Sequence, residues 1–434
     1  MPIQETARVY NLFPRLLGTI PSWIDHFPRI AGMKFNWLFL NPLQQTGFSG
    51  SLYSIKDYYK LNPLFYDPER GQSEMEQVKW MVDEAHNQGL KVMMDLVVNH
   101  TAIDHPFTET HKEWYKWDND KILHPGAWEG EKWVSWGDLA EVDNESSSDR
   151  DSLWKYWLDM VLYYLDRGFD GFRCDAAYKL PEDFWGFLIG QSKESYPDVT
   201  WFAESLGCPI EDTIKLGQSG FQYTFNSSKW WDYEEDWCLT QYLENAPHSM
   251  SISFPESHDT PRLFEECHGD PKVVEQKYLF SCLFSSGLMI PIGFEYGFKK
   301  ALNVVETQPN DYEGLPYDFS GYITQANTLK SQYQIFNEES TIHKVTLGKG
   351  ENTAIFLKTS LNHKERCLII INKNFSEKET VFIKDYLLFL SWSGEIQDIS
   401  LSPPLANINE TDELTLRPGE IKIFYASIKT ESKT

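Results

Sequence analysis

An arginine and a carboxylate close behind a short apolar segment are the first candidates for chemistry in this sequence. The segment covers residues 168–172, and Arg173 and Asp175 follow it. Side chains two positions apart on a strand point to the same side of a sheet, so the guanidinium and the carboxylate are predicted to lie together. A neighbouring positive charge favours the ionised carboxylate, and an ionised carboxylate at a strand end can serve as a nucleophile. A purely structural Arg–Asp pair explains this segment equally well.

Polar side chains follow three other apolar segments in the same way. These polar side chains lie within residues 95–100, 204–205 and 256–260, and each group comes where a predicted strand ends. A single His or Glu after a strand is usually an ordinary solvated loop residue. Four polar runs at the same end of four strands indicate a common site, because the carboxyl ends of parallel strands meet at one edge of a sheet.

Two facing carboxylates with a third nearby indicate chemistry on a glycosidic bond. Asp175 and Glu204 follow neighbouring predicted strands, so their carboxyl groups are expected to face each other across a narrow pocket. In such a pair one carboxylate attacks the anomeric carbon while the other, protonated, donates to the leaving oxygen, and a separation of about 5–5.5 Å leads to retention. Arg173 favours the ionised form of Asp175, which leaves Glu204 as the acid. Asp259 is the third carboxylate.

The first 340 residues alternate between apolar strand segments and helical patterns. The strand candidates cover residues 8–13, 37–42, 91–98, 168–177, 199–203, 221–225, 252–254 and 288–292. Strands separated by helices in this way predict a parallel sheet that is buried on both faces. Eight such units predict a TIM (β/α)8 barrel, which is an α/β fold. A doubly wound open sheet is the alternative.

The sequence predicts two further domains around this barrel. Residues 101–150 are loop-like and rich in Gly, Pro and Trp, and we interpret them as a domain inserted after the third strand. From about residue 341, short strand segments separated by Gly, Asn and Lys turns, without intervening helices, predict an antiparallel β-sandwich. The predicted boundaries are 1–340 for the catalytic barrel, 101–150 for the insertion within it, and 341–434 for the C-terminal domain.

Composition excludes several classes of partner. A formal net charge of −25 argues against nucleic acid and against an anionic membrane surface. The sequence has no apolar run of about 18 residues, so no membrane span is predicted. The first residues lack a basic segment followed by an apolar one, and the six cysteines have no paired spacing, so reduced thiols and a cytoplasmic protein are expected.

Four motifs together resemble the alpha-amylase family of glycoside hydrolases, glycoside hydrolase family 13. The motifs are Asp95–His100, Gly171–Ala177, Phe202–Ser205 and Phe254–Arg262, and a looser fifth match is Trp136–Leu139. Their order and spacing agree along the chain, including the insertion after the third strand and the β-domain at the end. Each motif is weak alone, but the four in order are specific.

The resemblance implies a retaining enzyme that acts on alpha-1,4-linked glucans or oligosaccharides by double displacement, without a cofactor. It implies that Asp175 is the nucleophile, that Glu204 is the general acid and base, and that Asp259 holds the 2- and 3-hydroxyls of the sugar. The implied substrate-binding residues are Tyr53, His100, Arg173 and His258. Asn99 often helps to bind calcium in this family, but matching ligands are not identifiable in the insertion, so no metal site is expected.

Two departures from the family motifs concern the side of the site that receives the leaving group or acceptor. Tyr178 and Lys179 stand where the family often has Lys-His, and Ser257 stands where it usually has Asn. We interpret the tryptophans of the insertion together with Tyr178 and Lys179 as a possible wall over the acceptor side, and packing of the insertion onto the barrel is the alternative. These tryptophans are Trp114, Trp117, Trp128, Trp133 and Trp136.

Three functions remain open from the sequence. A hydrolase and a transglycosylase, such as a maltosyltransferase or a 4-alpha-glucanotransferase, use the same catalytic residues and differ in whether water or a sugar reaches the covalent intermediate. A non-catalytic glycan-binding homologue is the third, and it is disfavoured because all three carboxylates are present. Donor identity, chain-length preference, linkage and oligomeric state also stay open at this stage.

Overall fold

The centre of the molecule is a closed barrel of eight parallel strands. The computed structural model describes residues 3–129, 132–345, 352–391, 395–405, 407–408 and 412–428. The barrel strands are Arg8–Leu12, Trp37–Leu40, Lys91–Leu96, Gly171–Cys174, Thr200–Ala203, Tyr223–Phe225, Met250–Ser253 and Gly287–Pro291. Each strand pairs in parallel with its neighbours, and the eighth closes onto the first. The predicted TIM barrel is therefore confirmed, and the open-sheet alternative is wrong.

Helices surround the barrel and cover its outer face. The helices of the barrel region are Pro14–Leu17, Ile20–Ile24, Phe27–Gly32, Glu74–Asn87, Arg150–Leu165, Glu182–Ser195, Ile210–Gln218, Trp237–Asn245, Leu263–Glu266, Pro271–Phe284 and Ser320–Gln332. The helix Glu74–Asn87 shows how local sequence sets the residue at which a helix begins. Ser73 and Glu76 form a capping box at its start, which satisfies backbone N–H groups that have no partner within the helix. Within the described residues, no helix combines the length and the apolar character that a membrane crossing requires.

The segment after the third barrel strand is more regular than the sequence indicated. It contains a short helix, Phe107–Thr110, and three small antiparallel pairs. The pairs are His100–Ala102 with Leu139–Glu141, Trp117–Asp118 with Lys121–Ile122, and Gly126–Glu129 with Lys132–Ser135. A further hairpin, Gln44–Thr46 with Ile55–Leu61, follows the second barrel strand. Both excursions leave from the carboxyl ends of barrel strands, so they surround one end of the barrel.

The C-terminal segment is a two-layered antiparallel structure. Its larger sheet contains Thr341–Lys344, Thr353–Thr359, Glu365–Asn372, Ile421–Ser427 and Gln397–Asp398, and its smaller sheet pairs Glu379–Phe382 with Glu413–Leu416. Along the strand Glu365–Asn372, Ile369 and Ile371 pack into the barrel-side core, whereas Leu368 and Ile370 pack into a separate core. Burial on both faces explains the continuous apolar run of this strand. The predicted sandwich is confirmed, but the expectation of no intervening helix is wrong, since Lys384–Leu387 is helical.

Two buried lysines cap the end of a barrel helix, and one of them, Lys358, belongs to the C-terminal segment. The helix Pro271–Phe284 ends with carbonyl groups that have no helical partner. Lys358 Nζ donates to the carbonyl oxygens of Leu283 and Phe284, both at 2.8 Å. Lys330 Nζ donates to the carbonyl oxygens of Cys282 and Ser285 at 3.0 and 2.7 Å. Since Lys358 belongs to the second domain, that domain satisfies groups that the barrel cannot satisfy alone.

We expect Lys358→Met to lower the free energy of unfolding by about 2–4 kcal/mol, because two buried carbonyl groups lose a charged donor. Urea unfolding followed by circular dichroism measures this change. Lys364→Met is the matched control, since Lys364 is an exposed lysine of the same segment, and we expect a change below about 0.5 kcal/mol for it. Equal effects of the two substitutions would contradict this role of Lys358.

Candidate active site

A buried arginine lies at the centre of the polar residues at the carboxyl end of the barrel. Arg173 Nη1 lies 2.8 Å from Asp95 Oδ1 and 3.0 Å from Asp175 Oδ1. Its Nη2 lies 3.7 Å from Glu204 Oε2. The guanidinium is almost fully buried, so these charges interact with little screening by water. The third, fourth and fifth barrel strands thus each contribute a carboxylate to one cation.

Asp95 is the functional residue whose individual role the sequence analysis missed. Its carboxylate is fully buried and accepts two hydrogen bonds from Arg173 Nη1 and a third, of 2.7 Å, from the Tyr53 hydroxyl. Burial raises the pKa of Asp95 to about 6, although Arg173 opposes the shift. The sequence did contain a signal for this role, because Asp95 stands within the apolar strand Lys91–Leu96. A charge buried in a strand needs a partner of opposite charge or a hydrogen-bond donor.

The predicted substrate-binding residues form a chain of contacts beside this cluster. The hydroxyl of Tyr53 donates a hydrogen bond to Asp95. It therefore accepts hydrogen bonds from His258 Nε2 at 2.8 Å and from Asn41 Nδ2 at 3.0 Å. His258 Nε2 also lies 3.0 Å from Asp259 Oδ2. The rings of Tyr53 and His258 are nearly parallel, with centroids 6.2 Å apart. The structure therefore brings residues from the loops after the second and seventh strands into contact with each other and with Asp95 of the third strand.

A cavity of about 410 Å³ opens directly onto these residues. We call it the donor cavity. Its lining includes Tyr53, His100, Asp175 and Asp259, together with Trp136. Burial lowers the pKa of His100, which keeps its ring neutral near pH 7. Val304 and Val305 also line the donor cavity, and no sequence feature had pointed to them.

Glu204 is held in an environment that favours its protonated form. The fifth barrel strand ends at Ala203, and Glu204 Oε2 accepts a 2.6 Å hydrogen bond from the backbone N–H of Ala176. Burial raises the pKa of Glu204 to about 7, and the nearby charge of Asp175 adds to the shift while Arg173 opposes it. Near neutral pH this carboxyl group can therefore carry a proton, as a general acid requires.

A second cavity, of about 530 Å³, lies between the insertion and the barrel. We call it the acceptor cavity. Tyr178 and Lys179 line it, as does Trp133. Lys179 Nζ donates to the carbonyl oxygen of Gly126 at 3.1 Å and lies 5.4 Å above the ring of Trp136. The loop after Asp175 is thus attached to the insertion.

The structure separates the tryptophans that were grouped in the predicted wall. Trp133 lines the acceptor cavity and Trp136 the donor cavity. Trp114 is buried, and its ring lies 5.8 Å from that of Tyr156 in the helix Arg150–Leu165, so it packs the insertion onto the barrel side. Trp117 lines neither of these two cavities and donates to the carbonyl oxygen of Lys112. The side chain of Trp128 lies outside the described residues.

The surroundings of Asn99 do not fit a calcium site. Its Oδ1 is buried without a hydrogen-bond partner, but calcium takes six to eight oxygen ligands. Nearby Glu141 is paired with Lys116 at 2.8 Å, and Asn144 Oδ1 accepts from the indole of Trp157. In the part of the chain that the structure describes, no group of three or more His, Cys, Asp or Glu is arranged to hold a metal ion.

Comparisons with known sequences return proteins that handle glucans. A family model described as the glucanotransferase domain of glycogen debranching enzyme matches residues 3–126. An alpha-1,4-glucan:maltose-1-phosphate maltosyltransferase of Burkholderia pseudomallei is 24% identical over 387 residues, covering 86% of this chain and 33% of the relative. A cyclomaltodextrinase of Geobacillus thermopakistaniensis is 24% identical over 389 residues, covering 82% of this chain and 62% of the relative. The chain thus spans about a third of the first relative's length and under two thirds of the second's.

Solved structures share the fold over nearly the whole chain. An alpha-amylase of Lactobacillus plantarum has a TM-score of 0.76 and 22% identity, covering 96% of this chain and 98% of its own. An alpha-amylase of Geobacillus thermoleovorans, complexed with acarbose, has a TM-score of 0.77 and 17% identity, covering 98% of this chain and 99% of its own. At these identities the likeness establishes the fold, including the barrel and the C-terminal β-domain.

We expect Asp95→Asn to lower the free energy of unfolding by about 1–3 kcal/mol, because the buried guanidinium loses its most direct counter-charge but keeps Asp175. Chemical denaturation measures the loss. Asp83→Asn serves as a control, since the Lys79–Asp83 pair is exposed and such pairs contribute about 0–1 kcal/mol. If Asp95→Asn costs no more than the control, Arg173 does not depend on Asp95.

Proposed function

We propose that this chain, which belongs to the alpha-amylase family of glycoside hydrolases, cleaves alpha-1,4-linked glucans or oligosaccharides with retention of the anomeric configuration. One observation carries the proposal. Arg173 contacts both Asp175 and Glu204, at 3.0 and 3.7 Å, while burial raises the pKa of Glu204 to about 7. A carboxylate beside a cation and a carboxyl group able to hold a proton are the two groups that this chemistry needs.

The first chemical step forms a covalent glycosyl–enzyme. We infer that the donor sugar occupies the donor cavity, where Asp175 lies below the anomeric carbon and Asp259 is within reach of the ring hydroxyls. Glu204 donates its proton to the glycosidic oxygen as the bond from C1 to that oxygen breaks. A carboxylate oxygen of Asp175 bonds to C1, and the leaving sugar departs as an alcohol.

The second step releases the glycosyl group and restores both carboxylates. Glu204, now ionised, takes a proton from an incoming hydroxyl as its oxygen attacks C1, and the electron pair of the C1–Asp175 bond returns to the carboxylate. Water as the incoming molecule gives hydrolysis, and a sugar hydroxyl gives transglycosylation. Transglycosylation is the second candidate, favoured by the match to a glucanotransferase domain and by the maltosyltransferase relatives.

The remaining residue roles complete the proposal. Arg173, His100 and His258 position the ring, and Tyr53 forms the face on which the donor sugar stacks.

We further propose 1–340 as the catalytic barrel, 101–150 as the insertion, and 341–434 as the C-terminal domain. All six cysteines are free thiols, which supports a reducing compartment, and we propose the cytoplasm.

We expect Asp175→Ala to reduce turnover of maltooligosaccharides by about 10⁴-fold or more, because no covalent intermediate can form. Sodium azide should then restore cleavage of an aryl alpha-glycoside, since the small anion can attack C1 from the space that the carboxylate vacates. Proton NMR of the product checks the stereochemistry: a beta-configured glycosyl azide is the expected product. A variant with near wild-type turnover, or an intact wild-type reaction that inverts the anomer, would contradict the assignment.

We expect Glu204→Gln to slow cleavage of maltooligosaccharides far more than cleavage of aryl glycosides, because an activated aryl oxide leaves without protonation. In the wild type, kcat/KM on maltooligosaccharides should fall as pH rises above about 7, where Glu204 loses its proton. That fall should be absent for the variant on aryl substrates. Glu194→Gln, a change at an outer-helix carboxylate, is the control and should match the wild type. Equal losses on both substrate types would indicate a structural role for Glu204.

A further inference from the structure

Two buried asparagines connect the first two barrel strands to Tyr53. Asn11 lies in the first strand, and Asn41 directly follows the second. Both side chains are fully buried, and the described lining of the donor cavity includes Tyr53 but neither asparagine. A buried amide has lost its hydrogen bonds to water, so its polar atoms need partners within the protein. Those partners determine which way each amide points.

A backbone carbonyl group fixes the direction of both amides. Asn11 Nδ2 lies 3.1 Å from the carbonyl oxygen of Phe39 and 2.9 Å from Asn41 Oδ1. A reversed Asn11 amide would place two oxygens against each other, and neither can donate. With Asn11 fixed in this way, Asn41 accepts through Oδ1 and turns its Nδ2 to the Tyr53 hydroxyl, 3.0 Å away. Asn41 is therefore a donor to Tyr53 and cannot accept its proton.

Packing alone does not account for an asparagine at position 11. The Oδ1 atom of Asn11 is buried and has no hydrogen-bond partner among the described residues. An unsatisfied buried oxygen lowers stability, whereas a leucine of similar size would leave none. Asn11 therefore orients Asn41 at a cost to stability.

Asn41 determines where the single proton of the Tyr53 hydroxyl points. Burial raises the pKa of Tyr53 well above its usual value, so the hydroxyl keeps that proton. Because Asn41 Nδ2 donates to the hydroxyl oxygen, the proton goes to Asp95 Oδ2 at 2.7 Å.

The same order reaches Asp259 through His258. His258 Nε2 lies 2.8 Å from the Tyr53 oxygen and 3.0 Å from Asp259 Oδ2. If the Tyr53 proton pointed at His258, Nε2 would be an unprotonated acceptor in contact with a carboxylate. A proton on Nε2 avoids this repulsion and suits both oxygens. The direction of one hydroxyl therefore affects two carboxylates of the site, Asp95 and Asp259.

We propose that Asn41 is a positioning residue for the reaction, because it directs the Tyr53 hydroxyl at Asp95. Asn11 holds Asn41 in the orientation that this requires. The inference rests on the proposed function, and both asparagines act through Tyr53 rather than on the sugar. The hydrogen bond from Tyr53 stabilises the ionised form of Asp95, which is a counter-charge of Arg173. Groups that are oriented before the sugar binds need no reorganisation during bond cleavage.

The first experiment is a double-mutant cycle that measures kcat/KM on an aryl alpha-maltoside. Rates refer to folded enzyme, with the folded fraction taken from circular dichroism. We expect Asn41→Leu to lower kcat/KM about ten-fold, as is usual for coupled residues of one hydrogen-bond network. In the Tyr53→Phe background, which lacks the hydroxyl that Asn41 orients, the same change should lower it less than about two-fold. If the two losses multiply in the double variant, the inference is overturned.

Asn327→Leu is the matched control. Asn327 is also fully buried, and it accepts a 2.8 Å hydrogen bond from the hydroxyl of Tyr278, but it lies on the outer helix Ser320–Gln332. We expect this change to lower stability and to leave kcat/KM of the folded enzyme within about two-fold of the wild type. A loss equal to that of Asn41→Leu would show that any buried asparagine has this effect and would also overturn the inference.

The second experiment tests the direction of the hydrogen bond. Asn41→Asp keeps the shape of the side chain and its contact with Asn11, but an acceptor replaces the donor that faces Tyr53. The Tyr53 proton is then drawn away from Asp95, and we expect kcat/KM about ten-fold below that of Asn41→Leu. In the Tyr53→Phe background the difference between the two variants measures the added charge alone, and we expect it to stay below about three-fold. An equal difference in both backgrounds would contradict the proposal.

Asn11→Leu provides a separate test if a variant at Asn41 does not fold. It leaves Asn41 in place but releases its amide, so we expect a loss in kcat/KM of about three-fold with Tyr53 present and none in the Tyr53→Phe background. Equal losses in both backgrounds would overturn the inference while the wild type still cleaves its substrate. Absence of cleavage of every alpha-glucoside by the wild type would instead refute the proposed function, and this inference with it.

Discussion

The arrangement of the site depends on one buried cation that faces three carboxylates. Arg173 contacts Asp95, Asp175 and Glu204. One positive charge cannot stabilise three negative charges in a poorly screened environment, so proton affinity must rise somewhere in the cluster. It rises at Asp95 and at Glu204, whose pKa values are raised to about 6 and about 7. Burial, only partly offset by Arg173, thereby leaves a carboxyl group that can hold a proton near neutral pH.

The barrel brings this cluster together, and the other segments complete it. Parallel strands place their carboxyl ends side by side, so residues far apart in sequence become neighbours without long loops of their own. Tyr53 reaches Asp95 and His258 from the loop after the second strand. At a distance from the site, Lys358 of the C-terminal segment satisfies the end of a barrel helix. The second domain therefore stabilises the barrel, and the insertion shapes the opening of the site.

The two cavities divide the site according to chemistry. The donor cavity is lined by ionisable residues, among them His100, Asp175 and Asp259, whereas the acceptor cavity combines compensated charge with aromatic surface. Lys179 connects the two, since it binds the hairpin carbonyl of Gly126 and lies above the ring of Trp136. Under the proposed function, hydrolysis and transfer use the same catalytic carboxylates.

The sequence alone predicted eight parallel strands and placed Asp175, Glu204 and Asp259 at their carboxyl ends, whereas the closure of the sheet into a barrel was decided by the tertiary structure. The strands and the carboxylate positions both follow from local rules. Apolar runs separated by helical patterns predict parallel strands, and polar residues after such runs fall at the carboxyl-end edge of the sheet. Only the tertiary structure decided that Asp95 is the most direct partner of Arg173, and that Trp133 and Trp136 line different cavities while Trp114 is buried. Local sequence does not encode these facts, because a side chain's partner and exposure depend on which distant segments pack against it.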